Sequence, residues 1–187
     1  MKLQAKDFLT LPNILSYVRL LLIPVFMVQY LTATDIGDYY IAGIIIIFSG
    51  LTDLLDGYIA RKFNQITELG KLLDPIADKL TQVAVIICLL VHYEKMWIII
   101  TLFVAKELFM AVNDFLLYRQ GKKLDGAKWF GKVSTAVFYA CMTFLVAFPS
   151  IQATTANSLM IVTGFFLTLS FVLYGREFFT MYQKSSK

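Results

Sequence analysis

The sequence predicts an all-α, polytopic membrane protein: six transmembrane helices and a short N-terminal helix lying on the membrane surface. Three observations carry that prediction. Hydrophobic residues make up 58% of the 187 and mean hydropathy is +0.69, too apolar for a soluble domain of average composition. Six apolar runs each approach the roughly 20 residues that cross a bilayer. Lysine and arginine fall in alternate connections between those runs, as they do in cytoplasmic loops.

In residues 1–11, Lys2, Lys6, Phe8 and Leu11 are expected to belong to a short helix lying on the membrane surface. Asp7 interrupts this short apolar stretch, which argues against a cleavable signal peptide. The first span is expected at 14–31 and the second at 39–58. The third, at 72–91, follows a connection over 61–70. The fourth, 96–118, follows a turn-like His92-Tyr93-Glu94-Lys95 segment. The fifth, 130–148, follows a basic stretch, and the sixth, 158–174, follows the polar segment 149–157. No linker or internal repeat divides the chain, so residues 1–187 are expected to form a single membrane domain.

Charge sets the orientation. Lys2 and Lys6 precede span one, and Arg61, Lys62 and Lys71 lie between spans two and three. Arg119, Lys122, Lys123, Lys128 and Lys132 lie between four and five, and Arg176, Lys184 and Lys187 follow six. The opposite loops contain only Lys95. Both termini, and the ends of spans two and three that adjoin residues 61–70, are therefore expected on the cytoplasmic face of the cell membrane. Basic residues there can also hold anionic lipid headgroups, at about 1 kcal/mol each. Topology accounts for most of them, and nucleic acid is not suggested. Cys88 and Cys141 lie in apolar runs without metal-ligand spacing and read as packing residues. His92, the single histidine, reads as a surface-loop residue, so a histidine-dependent nucleophile has poor material here.

Within this apolar chain stand four aspartates: Asp53, Asp56, Asp74 and Asp78. One carboxylate at mid-bilayer costs about 2.5–3.5 kcal/mol, so four without compensation would cost on the order of 10 kcal/mol, a sizeable part of a domain's stability. Asp53 and Asp56 share a helix face with Gly57 and Ala60, and Asp74 and Asp78 repeat the arrangement with Gly70 one turn earlier. Two antiparallel helix ends can bring four carboxylates toward a common point. An all-oxygen set without histidine or cysteine favours Mg2+, Mn2+ or Ca2+ over zinc. Small residues admit a ligand close to the backbone, and Arg61 offers a planar donor fork for phosphate oxygens. Together these describe a pyrophosphate site. Packing roles for Gly57, Ala60 and Gly70, and ion pairs for Arg61 and Lys79, are the bland alternative. Pro75 can mark a helix first turn with Asp74 as its cap.

These residues match D-x2-D-G-x2-A-R-x8-G-x3-D-x3-D at every fixed position over residues 53–78, and the chain thereby resembles the CDP-alcohol phosphotransferase family. The run Pro12-Asn13-Ile14-Leu15-Ser16-Tyr17-Val18-Arg19, with Pro24, is similar to the first-span motif of its bacterial phospholipid synthases. The resemblance implies transfer of a substituted phosphate from a CDP-linked donor, usually CDP-diacylglycerol, to an alcohol, with release of CMP. It implies that Asp53, Asp56 and Asp74 hold one or two divalent ions, Mg2+ or Mn2+. Asp78 joins that cluster and is the implied general base. Thr52, Gly57, Ala60, Arg61 and Gly70 are implied to receive the cytidine diphosphate end. A homodimer is likewise implied, with a cytoplasm-facing polar cavity that the donor's acyl chains enter sideways from the lipid.

Within the family the chain most resembles phosphatidylglycerophosphate synthases, whose acceptor is glycerol 3-phosphate. Where those carry an Arg-Glu pair, a further arginine and a G-K-x-K-T motif, this chain has Lys106-Glu107, Asp114 and Gly131-Lys132-Val133-Ser134-Thr135. Lys106, Arg119 and Lys132 are the expected acceptor-binding residues. Lys106 and Glu107, as successive helix residues, are expected to have separate partners. The departures lower the positive charge available, which keeps open a cardiolipin synthase using phosphatidylglycerol, or inositol phosphate or serine as acceptor. A cation or proton transporter explains the carboxylates but not the arginine and small residues at these intervals. A catalytically dead scaffold is opposed by the intact aspartate set.

Overall fold

The computed structural model describes residues 10–63, 65, 67–119 and 128–183, apart from the side chain of Arg61. The expected surface helix and Lys122, Lys123, Lys184 and Lys187 lie outside the described residues. Six α-helices follow one another: α1 (Leu11–Leu31), α2 (Ile36–Lys62), α3 (Glu68–Leu89), α4 (Met96–Arg119), α5 (Trp129–Ala147) and α6 (Ala153–Gln183). All except α3 are long and apolar enough to cross a membrane. α3 has the length, but Glu68, Lys71, Asp74, Asp78 and Lys79 crowd its first half. Large apolar side chains face outward along the helices, among them Leu21, Val28, Leu54, Phe115 and Ile161. Exposed apolar surface on this scale suits lipid and not water. The chain is an all-helical, polytopic membrane protein.

Several helix ends differ from the sequence reading, each for a local reason. α2 starts at Ile36 because the Asp38 carboxylate accepts from the backbone N–H of Thr34 (2.9 Å) and Asp35 (3.2 Å), satisfying donors at the helix start. α3 starts at Glu68, where Thr67 is the N-cap and its Oγ1 accepts from Gly70 N–H at 2.9 Å. Pro75 therefore sits inside α3 and Asp74 is not a cap, contrary to expectation. The connection between α2 and α3 shrinks to residues 63–67. α6 runs on to Gln183, because Tyr174 and Phe178 pack with Leu117 in a buried cluster past the apolar stretch.

The helices fall into two compact units. The first comprises α1, α2 and α3 with the Thr143–Ser150 end of α5; the second comprises α4, the rest of α5, and α6. In the first, α1 packs on both α2 and α3. Its buried stripe runs Asn13, Ser16, Arg19, Phe26, Tyr30, spaced three, three, seven and four apart as one helical face requires. At the far end, Tyr30 and Tyr39 close on His92, whose Nδ1 and Nε2 lie 3.1 and 3.2 Å from the two phenolic oxygens. His92 is an exposed turn residue, as expected, but it also joins two helices. Gly43 lies against Ala147, leaving no slack for a side chain: an added Cβ would stand 3.1 Å from the Ala147 Cβ.

In the second unit α4 packs along α6, through ring contacts such as Phe109 with Phe171. Lys128 pairs with Glu177 at 2.7 Å. Gly131 faces the Tyr174 ring directly, and an added Cβ would collide with its hydroxyl. Cys88 and Cys141 are buried free thiols, as the sequence suggested.

Candidate active site

The site is assembled in the first unit, where the last turns of α2 and the first turns of α3 adjoin the first half of α1. α2 carries Asp53 and Asp56 in its last three turns, and α3 carries Asp74 and Asp78 in its first three. Asp53 lies within electrostatic range of Asp74 and Asp78, and Asp56 within range of Asp74 and Asp53. The helix pair thus gathers all four carboxylates in one neighbourhood. They do not close on a single point: among the described residues no three acidic, histidine or cysteine side chains stand at metal-holding distance.

What holds these carboxylates comes mainly from α1. Arg19, only 1% exposed, places Nη1 2.6 Å from Asp53 Oδ1 and donates from Nη2 to Asp56 Oδ2. Ser16 Oγ stands 2.6 Å from Asp74 Oδ1 and donates to it. One turn nearer the helix start, Asn13 Nδ2 donates to Thr67 Oγ1 at 3.0 Å. Asn13 also backs Gly70: a Cβ there would come within 2.6 Å of Asn13 Oδ1. Asn13, Ser16 and Arg19 thus read three pieces of the aspartate motif from a single face of α1. Asp78 has Lys79 Nζ 3.8 Å from its Oδ2.

Accessibility differs sharply across the set. The Asp53 side chain is 45% exposed, that of Asp78 20% and that of Asp56 3%. A carboxylate as buried as Asp56 needs a cation beside it, and Arg19 is that cation. Gly57 and Ala60 are half-exposed on α2, leaving their stripe accessible. Thr52 is buried, and its hydroxyl donates to Ser49 O at 2.6 Å, a bond within its own helix. Arg61 lies in the last turn of α2.

The chain matches the family model described as CDP-alcohol phosphatidyltransferase over residues 9–173. The chain belongs to that family. It is 30% identical over 163 residues to the CDP-diacylglycerol--glycerol-3-phosphate 3-phosphatidyltransferase of Escherichia coli (strain K12), covering 85% of this chain and 88% of that one. Proteins of the same name from Shigella flexneri serotype 5b and Shigella boydii serotype 4 are 29% identical over the same shares. The protein is accordingly a membrane transferase of phospholipid biosynthesis, and divalent metal is general to the chemistry of this family.

The residues present fit such an ion by donor chemistry. Every candidate ligand is a carboxylate, Asp53 and in part Asp78 reach solvent, and the four formal negative charges exceed the two positive ones on Arg19 and Lys79. An oxygen-only, net-negative set suits a hard divalent cation.

The expected acceptor residues of this phosphatidyltransferase lie in the second unit and are not brought together. Lys106 is buried, and its Nζ pairs with Glu107 Oε1 at 2.7 Å. This overturns the expectation that the two have only separate partners: both side chains are long enough to bend around the helix and meet. Arg119 and Lys132 are exposed. Arg119 also follows Lys106 by thirteen residues on α4, roughly 20 Å along the axis at the usual helical rise.

The motif reading missed Asn13, Ser16 and Arg19 as site residues. A signal was present: three polar residues at intervals of three in an apolar span share a face, and an arginine there requires an acidic partner.

Proposed function

We propose that this protein transfers the phosphatidyl group of CDP-diacylglycerol to glycerol 3-phosphate, releasing CMP and forming phosphatidylglycerophosphate. The observation that carries this reading is the gathering of Asp53, Asp56, Asp74 and Asp78 in one neighbourhood, with the buried Arg19 pairing Asp53 and Asp56. The relatives' printed name supports the acceptor. One or two divalent ions, Mg2+ or Mn2+, would be held by the four aspartates and supply charge neutralisation to the donor diphosphate.

The chain's own residues do the rest. Gly57 and Ala60, half-exposed on α2, leave room for the cytidine diphosphate along that stripe, with Thr52, Arg61 and Gly70 as the other proposed residues of this end of the site. Asp78, partly open to solvent, accepts the proton of the acceptor hydroxyl. The acceptor oxygen forms the new bond to the phosphatidyl phosphorus as the bond to CMP breaks, and CMP leaves with that electron pair. Lys106 is the proposed acceptor contact; Arg119, roughly 20 Å away along α4, cannot share one small acceptor with it, and Lys132 at the start of α5 is the remaining proposed cation. The whole chain acts as one catalytic domain, a reading supported by a family match that runs through both compact units. It works as a homodimer in the cell membrane, with α3 as a sixth span and with both termini and the aspartates cytoplasmic. The lysine and arginine distribution supports that orientation.

One observation favours a second acceptor. The Lys106–Glu107 pair offsets the charge that a phosphomonoester would need, which suits phosphatidylglycerol and its single phosphate charge. Incubating purified protein with CDP-diacylglycerol and each acceptor, and identifying the lipid by mass spectrometry, separates the two. Phosphatidylglycerophosphate supports the first reading; cardiolipin formed in its place overturns it in favour of the second.

A further inference from the structure

Three buried polar side chains meet inside the second unit. Lys106 on α4, Ser134 on α5 and Ser170 on α6 are 4%, 2% and 1% exposed. Contacts on either side set their level. The Phe103 ring lies 6.1 Å from that of Phe138, and Gly131 abuts the Tyr174 ring. α5 runs antiparallel to both neighbours, since Phe130 packs with Leu117 and Tyr174 while Lys128 reaches Glu177. One turn on from Phe103 is Lys106, one turn back from Phe138 is Ser134, and one turn back from Tyr174 is Ser170. The three therefore share one level of the unit's interior.

The two serine hydroxyls have no hydrogen-bond partner among the described residues. Elsewhere on α6, Thr163 and Thr168 donate to the carbonyl four residues back, at 2.9 and 2.8 Å, as hydroxyls in apolar helices do. Ser134 and Ser170 make no such bond. A buried hydroxyl without a partner is costly, and a buried water making about three hydrogen bonds is the usual remedy. Lys106 supplies the third: its ammonium carries three donors, of which Glu107 Oε1 takes one at 2.7 Å. We propose that Ser134 and Ser170 hold one buried water that accepts from the Lys106 ammonium, which makes both serines positioning residues for the acceptor contact. The proposal rests on the reading of Lys106 as that contact. It brings α6, through Ser170, into acceptor binding.

The split between acceptor and donor kinetics is the informative readout. The full-length protein in mixed micelles is assayed with its acceptor, glycerol 3-phosphate or phosphatidylglycerol, varied at saturating CDP-diacylglycerol, and then with the donor varied. Ser170→Ala is expected to raise the acceptor KM about tenfold, the scale of one hydrogen bond to a charged group. Its kcat and donor KM are expected to stay within about twofold of the parent. Ser134→Ala is expected to behave alike. The double variant is expected to stay within about twofold of either single, because losing one hydroxyl already releases the shared water. Ser170→Thr keeps the hydroxyl and is expected to return the acceptor KM toward the parent value.

An acceptor KM unchanged in both single variants, in protein that elutes and melts as a folded species, overturns the proposal. So does a double variant whose effect is the product of the two singles, the sign of two separate packing losses, or an equal rise in the donor KM. Lys106→Met distinguishes the two readings. A raised acceptor KM there, with unaffected serine variants, removes the shared water alone; an unchanged KM removes Lys106 as the acceptor contact. Parent protein that turns over neither acceptor overturns the proposed reaction itself.

Discussion

Replacing Arg19 by methionine isolates the contribution of the cation at the centre of the site. The side chains of Arg19 and Asp56 are 1% and 3% exposed, so this pair is screened by almost no water. Asp53, with its side chain 45% exposed, can turn to solvent when its partner is lost, and its share of the effect is small. The cost therefore falls on Asp56, left charged and buried among apolar helices. Breaking a buried ion pair from one side costs about 3–5 kcal/mol, and Arg19→Met is expected to lose that much. Removing the stranded charge as well, in Arg19→Met with Asp56→Asn, is expected to recover about 2 kcal/mol or more. The assay is reversible unfolding in mixed micelles by circular dichroism, with a chelator present so that no divalent ion replaces the lost cation. A loss below about 1 kcal/mol in the single variant, or a double variant no more stable than the single, refutes the reasoning.

Three further outcomes follow from the same structure. Gly70→Ala is expected to destabilise by roughly 1–2 kcal/mol, since the new methyl meets Asn13 Oδ1 and Thr67 Oγ1; the sign is the test, because alanine is ordinarily the better helix former. Gly131→Ala is expected to cost about 1–3 kcal/mol, measured by thermal unfolding, because Tyr174 is buried among Phe130 and Phe178 and has nowhere to retreat. Single cysteines at Phe63 and Glu94, both exposed, are expected to label from opposite sides of sealed vesicles. The native Cys88 and Cys141 are buried and give little background.

The helices were legible in the sequence because lipid demands long apolar runs, and five of the six read that way. Their ends were less legible, since apolarity marks the bilayer and not the hydrogen bonds that stop a helix. Thr67 begins α3 before the apolar stretch starts, and Tyr174 and Phe178 carry α6 past where it stops. The aspartates were legible from spacing alone, and α2 and α3 bring them into one neighbourhood. Their partners were not. Asn13, Ser16 and Arg19 stand 54, 58 and 37 residues from Thr67, Asp74 and Asp56, and nothing local to either segment specifies which span will supply the arginine's counter-charge. Lys106 with Glu107 shows the opposite failure. The rule that successive helix positions diverge holds for Cβ atoms, and two long charged side chains escape it.

The central claim is that the four-aspartate site performs divalent-metal-dependent phosphatidyl transfer. It is tested most directly by CMP release from CDP-diacylglycerol, with and without Mg2+ or Mn2+, across glycerol 3-phosphate, phosphatidylglycerol, inositol phosphate, inositol and serine. The account predicts release with one acceptor, abolished by chelation and reduced about 100-fold or more in folded Asp78→Asn, the scale of a lost general base. Release that persists undiminished in Asp78→Asn, or silence with every acceptor from folded, Mn2+-binding protein, would contradict it.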